Sequence, residues 1–230
     1  MARRTGTVVL VHGAWHGAWC WDGVVAALEA RGVEVDAVEL PLAGYAADSA
    51  EARAHIEAAG AGAVVCGHSY GGLVITQAAS SLDNVARLVY LAAFQTEAEE
   101  DPNALMAADP SPLQSAFVFG DEGLTVDPSR LHEVFYADSD AAVVAEIAPK
   151  LRPMPLTGEA WLAPEPAWTH VPSTYVVCTR DAAIMPSLQR TMAARATDVV
   201  ELDADHSPFL TRPEELAELL ASYLGDADDA

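Results

Sequence analysis

Residues 63–66 read Ala-Val-Val-Cys, residues 67–71 Gly-His-Ser-Tyr-Gly and residues 72–75 Gly-Leu-Val-Ile. A short apolar run, a turn bounded by glycines and a second apolar run predict a buried strand, a tight reversal and a helix. A G-x-S-x-G pentapeptide is uninformative alone. Between a strand and a helix it becomes a strained turn that lifts the serine hydroxyl above the end of a sheet. Gly67 and Gly71 lack a Cβ, so strand and helix can close around the turn. The rival reading is a glycine-rich loop with an incidental serine. Against it stand the partners that a serine nucleophile needs, which follow later in the chain and in the right order.

The turn sits in a regular alternation. Residues 7–11, 33–38, 63–66 and 85–93 read as strands, and 19–31, 48–59 and 70–80 as helices. The strands are continuous Val/Leu/Ala runs without strict alternation, which suits strands covered on both faces. Such a pattern predicts an α/β fold with right-handed βαβ units and a mostly parallel sheet of about six strands flanked by helices. The alternation breaks after Phe94. Prolines crowd residues 102–166, helical stretches fall near 129–136 and 139–150, and no core strand stands out. Bulky residues such as Leu113, Phe117, Leu131, Phe135 and Trp168 argue against a disordered linker. Residues 95–170 therefore read as a small, mainly helical cap inserted over the carboxyl end of the sheet. Alternation resumes with strands at 174–179 and 199–202 and helices at 187–194 and 213–224. Residues 1–94 and 171–230 together form the expected core.

A chain of 230 residues, 51% hydrophobic, suits one large domain. It holds no apolar run long enough for a transmembrane helix. Arg3 and Arg4 precede only a short apolar run, with no cleavage site after it, so a cytoplasmic location is expected. Three cysteines, Cys20, Cys66 and Cys178, are an odd number; two fall in predicted core strands and read as buried thiols. Cys20 follows the 12–19 loop and reads either as packing or as pocket lining. The formal charge of −22 disfavours nucleic acid and anionic membrane as partners and leaves a small molecule. The acidic end, 225–230, reads as a frayed, solvated tail. Oligomeric state is not legible.

A serine hydroxyl needs a base to take its proton and an acid to orient that base. In this architecture both come from loops after later strands, in the order serine, acid, histidine. Asp181 follows the strand at 174–179, and His206 follows the strand at 199–202. Both lie at carboxyl ends of strands, where open α/β sheets carry their sites. Ser69 is accordingly assigned as nucleophile, His206 as general base and then acid, and Asp181 as the carboxylate that orients His206. Glu97, after the strand at 85–93, is the competing acid. Asp203 and Asp205 are too near His206 in sequence for a side-chain relay. His68 should point away from the turn, and His55, His132 and His170 carry no motif.

An oxyanion hole needs two backbone N–H groups aimed at the developing charge. Tyr70, after the nucleophile, is one candidate. Ala14, in the loop His12-Gly13-Ala14-Trp15-His16-Gly17-Ala18-Trp19, is the other. His12 and His16 should brace this loop, since no carboxylate or cysteine cluster accompanies them to hold a metal. Trp19 and Trp21 read as helix-face packing. Gly13, Trp15 and Tyr70 are the candidate substrate contacts. Trp161, Phe117, Phe119 and Tyr136 read either as pocket walls or as the cap's own core.

Four segments carry a resemblance: V-H-G-A-W-H-G-A-W-C-W (11–21), G-H-S-Y-G-G (67–72), Y-V-V-C-T-R-D (175–181) and D-H-S-P-F-L (205–210). With E-V-F-Y-A-D-S-D (133–140), they resemble the α/β-hydrolase superfamily. More narrowly, they resemble the branch of plant methylesterases, hydroxynitrile lyases and small bacterial esterases. The resemblance implies the Ala14 and Tyr70 oxyanion hole and no cofactor. It also implies a pocket between core and cap for a fairly small apolar acyl group. Lyases of that branch resemble one another in a threonine where this chain has Gly13 and a lysine where it has Ser207. Both departures favour hydrolysis of a carboxylic ester through an acyl-enzyme. A lactone or thioester of a secondary metabolite, hydroxynitrile cleavage and a non-catalytic receptor on the same fold are the alternatives.

Overall fold

Six parallel strands form the central sheet: β1 Thr7–Val11, β2 Glu34–Val38, β3 Ala63–His68, β4 Val85–Leu91, β5 Ser173–Cys178 and β6 Asp198–Leu202. Their spatial order is β2-β1-β3-β4-β5-β6. The computed structural model describes residues 4–161 and 163–226. Most of the expected acidic tail, 227–230, lies outside them, as does Arg3. Among the described residues no helix is long and apolar enough to cross a membrane.

The pleat of each strand sends neighbouring side chains to opposite faces. Val8, Leu10, Cys66, Val89 and Cys178 pack on one face, under the helices Asp22–Glu29 and Pro213–Ser222. Val9, Val11, Val65, Tyr90 and Tyr175 pack on the other, under the helices Tyr45–Ala58, Tyr70–Ala78 and Pro186–Ala193. Strands β1, β3 and β5 are buried along their whole length, which explains their unbroken apolar sequences. The edge strands β2 and β6 carry Glu34, Asp36, Asp198 and Glu201 and are partly open to solvent.

The predicted elements are present with shifted ends. The helix expected from residue 19 begins as a 3-10 turn, Ala18–Trp21, and the one expected from Asp48 begins at Tyr45. A short helix, Pro208–Thr211, was not anticipated. Between β4 and β5 the chain forms the short helices Pro102–Ala108, Pro112–Ser115, Leu131–Val134 and Ala141–Ile147. It also forms an unanticipated hairpin, Phe117–Gly120 with Gly123–Val126. The hairpin is bridged to Met154 through Leu124. Its arms are only four residues each, and the run Phe117-Val118-Phe119 hides the alternation that marks a strand. Gly123 is required there: its φ is +126°, and a Cβ would lie 2.2 Å from the Met154 carbonyl oxygen.

Candidate active site

Ser69 follows β3 with φ 53° and ψ −120°, a conformation that a non-glycine residue adopts only at a cost. The surrounding backbone enforces it. The Ser69 N–H donates to the Leu91 carbonyl at 3.2 Å. The Ser69 carbonyl accepts from Gly72 at 3.0 Å and from Phe94 at 3.2 Å. Glycines make the approach possible. A Cβ on Gly67 would stand 2.5 Å from the Gly71 carbonyl oxygen, and one on Gly71 would stand 2.5 Å from that of Val11.

The loops after β5 and β6 bring Asp181 and His206 together. Asp181 Oδ2 lies 2.6 Å from His206 Nδ1, with both side chains buried. Oδ1 accepts from the Ala183 and Ile184 N–H groups at 2.6 and 3.0 Å, and Oδ2 also accepts from Gln189 Nε2 at 2.8 Å. Gln189 is anchored in turn by the Cys178 N–H, which donates to its Oε1 at 2.9 Å. A carboxylate fixed this way accepts the hydrogen bond of Nδ1–H, which keeps the proton on Nδ1 and leaves the Nε2 lone pair available as a base. His68 packs behind the pair. Its Nε2–H donates to the His206 carbonyl at 2.8 Å, and the two rings are 4.6 Å apart.

Glu97 instead lies beside Arg195, at 3.8 Å, and Asp203 pairs with Arg180. Asp205 accepts from the Asp138 and Ser207 N–H groups. His55 pairs with Asp36, and His132 and His170 are exposed. The three cysteines are free and buried, and Cys20 packs in the core beneath the sheet, away from the cavity. Among the described residues no cluster of three or more His, Cys, Asp or Glu side chains is placed to hold a metal ion.

The 12–19 loop is braced by its histidines, as expected. The Leu40 N–H donates to His12 Nε2 at 3.0 Å, so His12 Nδ1 carries the proton and donates to the Gly13 carbonyl at 2.8 Å. His16 Nδ1 donates to the Ala14 carbonyl at 2.8 Å, and its Nε2 accepts from the Tyr136 hydroxyl at 2.8 Å. Burial holds His12 down to about 3 and His16 down to about 4. Burial also lowers His68. All three rings are neutral near pH 7.

Ser69, Ala14, Trp15 and Tyr70 open on a cavity of about 110 Å³, walled chiefly by apolar side chains. Phe117 and Trp161 line it, whereas Tyr136 is buried against His16 and Phe119 is 69% exposed. Gly13 is not part of the wall. A Cβ there would lie 2.9 Å from His68 Nδ1 and 3.0 Å from the Ser69 Cβ.

Sequence reasoning missed three residues that organise this site. Gln189 locks Asp181, and Arg152 ties down the 12–19 loop. Asp48, wholly buried, accepts the Tyr70 hydroxyl at 2.8 Å. Burial raises the Asp48 carboxyl above its ordinary range. It also raises the Tyr70 phenol, with the Asp48 charge adding to the effect. Each of the three stands in an amphipathic or proline-rich stretch with no motif around it.

A sequence model of the alpha/beta hydrolase family matches residues 8–219. The chain belongs to the alpha/beta hydrolase family. Among curated members, Esterase PIR7B of Oryza sativa subsp. japonica is 29% identical over 250 residues, covering 92% of this chain and 93% of that one. The pyrethroid hydrolase of Sphingobium wenxiniae is 29% identical over 258 residues, covering 94% and 86%. Among solved structures, a pyrethroid hydrolase from Sphingobium faniae JZ-2 superposes with a TM-score of 0.77 at 27% identity, covering 94% and 96%. This alpha/beta hydrolase thus resembles ester-cleaving relatives along nearly its whole length.

Proposed function

We propose that this alpha/beta hydrolase is a carboxylesterase that cleaves esters of small to medium apolar molecules through an acyl-enzyme on Ser69. The observation that carries the reading is the buried Asp181–His206 hydrogen bond of 2.6 Å, on loops beside a strained serine that faces an apolar cavity. Ser69 Oγ attacks the ester carbonyl carbon while His206 Nε2 takes its proton. The Ala14 and Tyr70 N–H groups receive the oxyanion. Collapse of the tetrahedral intermediate breaks the bond to the alkoxy oxygen, which leaves as the alcohol with the proton from His206. A water activated by the same imidazole then releases the acid and restores Ser69.

The division of labour follows: residues 1–94 and 171–230 supply the triad, and 95–170 form the cap that shapes the pocket. Trp15 and Tyr70 would contact substrate, with Gly13 backing the nucleophile. The crowding at Gly13 supports hydrolysis over hydroxynitrile cleavage, because the threonine found in lyases would there press on the buried His68 ring and the Ser69 Cβ and force them to shift. Three buried free thiols support a reducing, cytoplasmic setting. The formal charge of −22 supports a neutral small molecule over nucleic acid or an anionic membrane.

Hydrolysis of p-nitrophenyl esters from acetate to octanoate, by wild type and by Ser69→Ala, tests the reading. Turnover lost in the variant is expected, with an optimum at short to medium chains. Turnover undiminished in Ser69→Ala would refute it.

A further inference from the structure

Four successive carbonyls of the 13–16 segment are held. Gly13 O accepts from His12 Nδ1 and Ala14 O from His16 Nδ1. Trp15 O accepts from the Arg152 N–H at 2.7 Å. His16 O accepts from the Arg152 guanidinium, at 2.8 Å from Nη2 and 3.3 Å from Nε. In a planar trans peptide the N–H points opposite to the carbonyl. Fixing the Gly13 carbonyl on one side therefore aims the Ala14 N–H to the other. The geometry is strained, since Trp15 holds φ 65°, which a bulky residue rarely adopts.

One side chain from a distant segment supplies the charged part of this restraint. Arg152 also donates from Nη2 to the Leu40 carbonyl at 3.0 Å and pairs with Glu39 at 2.6 Å. Glu39 in turn accepts the Ala18 N–H at 2.7 Å, at the far end of the same loop. Two residues on, Met154 pairs with Leu124, whose carbonyl accepts the Trp15 indole N–H at 2.8 Å. Trp15 is thus gripped by its main chain and its side chain, both from the 95–170 segment.

We propose that Arg152 is a positioning residue for the oxyanion hole: its guanidinium holds the His16 carbonyl, beside the Trp15 carbonyl that its main-chain N–H holds in any variant, so that the loop sets the Ala14 N–H for the transition state. The inference rests on the esterase reading above. Arg152 touches neither the cavity nor Ser69, so it acts through the loop. Its side chain is partly exposed, and Met can keep the apolar stem without opening a core cavity.

The test compares wild type, Arg152→Met and Arg152→Lys on a p-nitrophenyl ester, with Ser69→Ala as control. Affinity is also measured for an alkyl trifluoromethyl ketone, which forms an oxyanion adduct on a serine, and for the matching alcohol, which forms none. Arg152→Met is expected to lower kcat about 10- to 100-fold, a displaced donor costing no more than a deleted one. KM should stay within about twofold, since ground-state binding is untouched. Ketone affinity should fall with kcat while alcohol affinity holds. Arg152→Lys, which keeps the charge and folds with less risk, should lose kcat with the same signature but less of it. Unchanged kcat, or equal loss of ketone and alcohol affinity in step with thermal stability, would overturn the proposal while Ser69-dependent turnover stands. Turnover that survives Ser69→Ala would instead bring down the esterase reading and this inference with it.

Discussion

Asp181 Oδ2 and His206 Nδ1 are 2.6 Å apart in a pocket closed to solvent, and the carboxylate takes three further N–H donors, from Ala183, Ile184 and Gln189. Asp181→Asn keeps the shape but presents an amide N–H or a weaker acceptor to the imidazole, so the wrong tautomer is favoured. The expected loss in kcat is about 10⁴-fold, with KM little changed. Steady-state kinetics at neutral pH check this, and a loss below about tenfold would mean that Asp181 does not orient the base.

Gly71→Ala and Gly60→Ala separate steric crowding from backbone strain. A Cβ at Gly71 meets the Val11 carbonyl oxygen at 2.5 Å and the His12 carbonyl oxygen at 2.8 Å, both rigid backbone. At Gly60, φ is +74° and nothing lies within 4 Å. Gly60→Ala should cost about 1–2 kcal/mol, the left-handed penalty alone. Gly71→Ala should cost more than about 3 kcal/mol or prevent folding. Urea denaturation of both variants measures the difference.

Among the described residues the Tyr70 hydroxyl is the only side-chain donor to Asp48, so Tyr70→Phe leaves a buried carboxyl short of a hydrogen bond, at a cost of about 1–3 kcal/mol. Asp48→Leu together with Tyr70→Phe should cost less than the two single changes summed, because neither partner is then stranded. Additive losses in urea denaturation would show that the 2.8 Å contact carries no coupling.

The buried neutral histidines make stability depend on pH. In the unfolded chain His12 and His16 protonate near 6.5, but in the fold only near about 3 and about 4. Below pH 6.5 the unfolded state binds more protons, so stability falls as pH drops from 6.5 toward 4 and is insensitive to these groups above 6.5. Each histidine contributes about 1.4 kcal/mol per pH unit within that window. His68 adds in the same direction. Urea midpoints at pH 7.5, 6 and 5 should show this decline, and equal midpoints would contradict it.

What was legible in the sequence was what is encoded locally. Ser69, Asp181 and His206 each follow an apolar strand run at the same end of the sheet, so the pairing of Asp181 with His206 could be read from strand order. The glycines of the elbow announced the turn. The hairpin at 117–126 was obscured by its short arms. Arg152 was hidden for another reason: its contact with His16 spans 136 residues, and nothing around an arginine between Leu151 and Pro153 marks it as a clamp. Asp48 likewise opened a predicted helix, where a carboxylate is expected at the surface; only packing of that helix against Tyr70 buries it.

Intact-protein mass spectrometry after treatment with diethyl p-nitrophenyl phosphate asks whether Ser69 is the nucleophile. A single diethylphosphoryl group per chain is expected, mapped by peptide analysis to Ser69, absent from Ser69→Ala and formed far more slowly in His206→Ala. A folded wild type that takes up no label, or carries it on another residue, would contradict it.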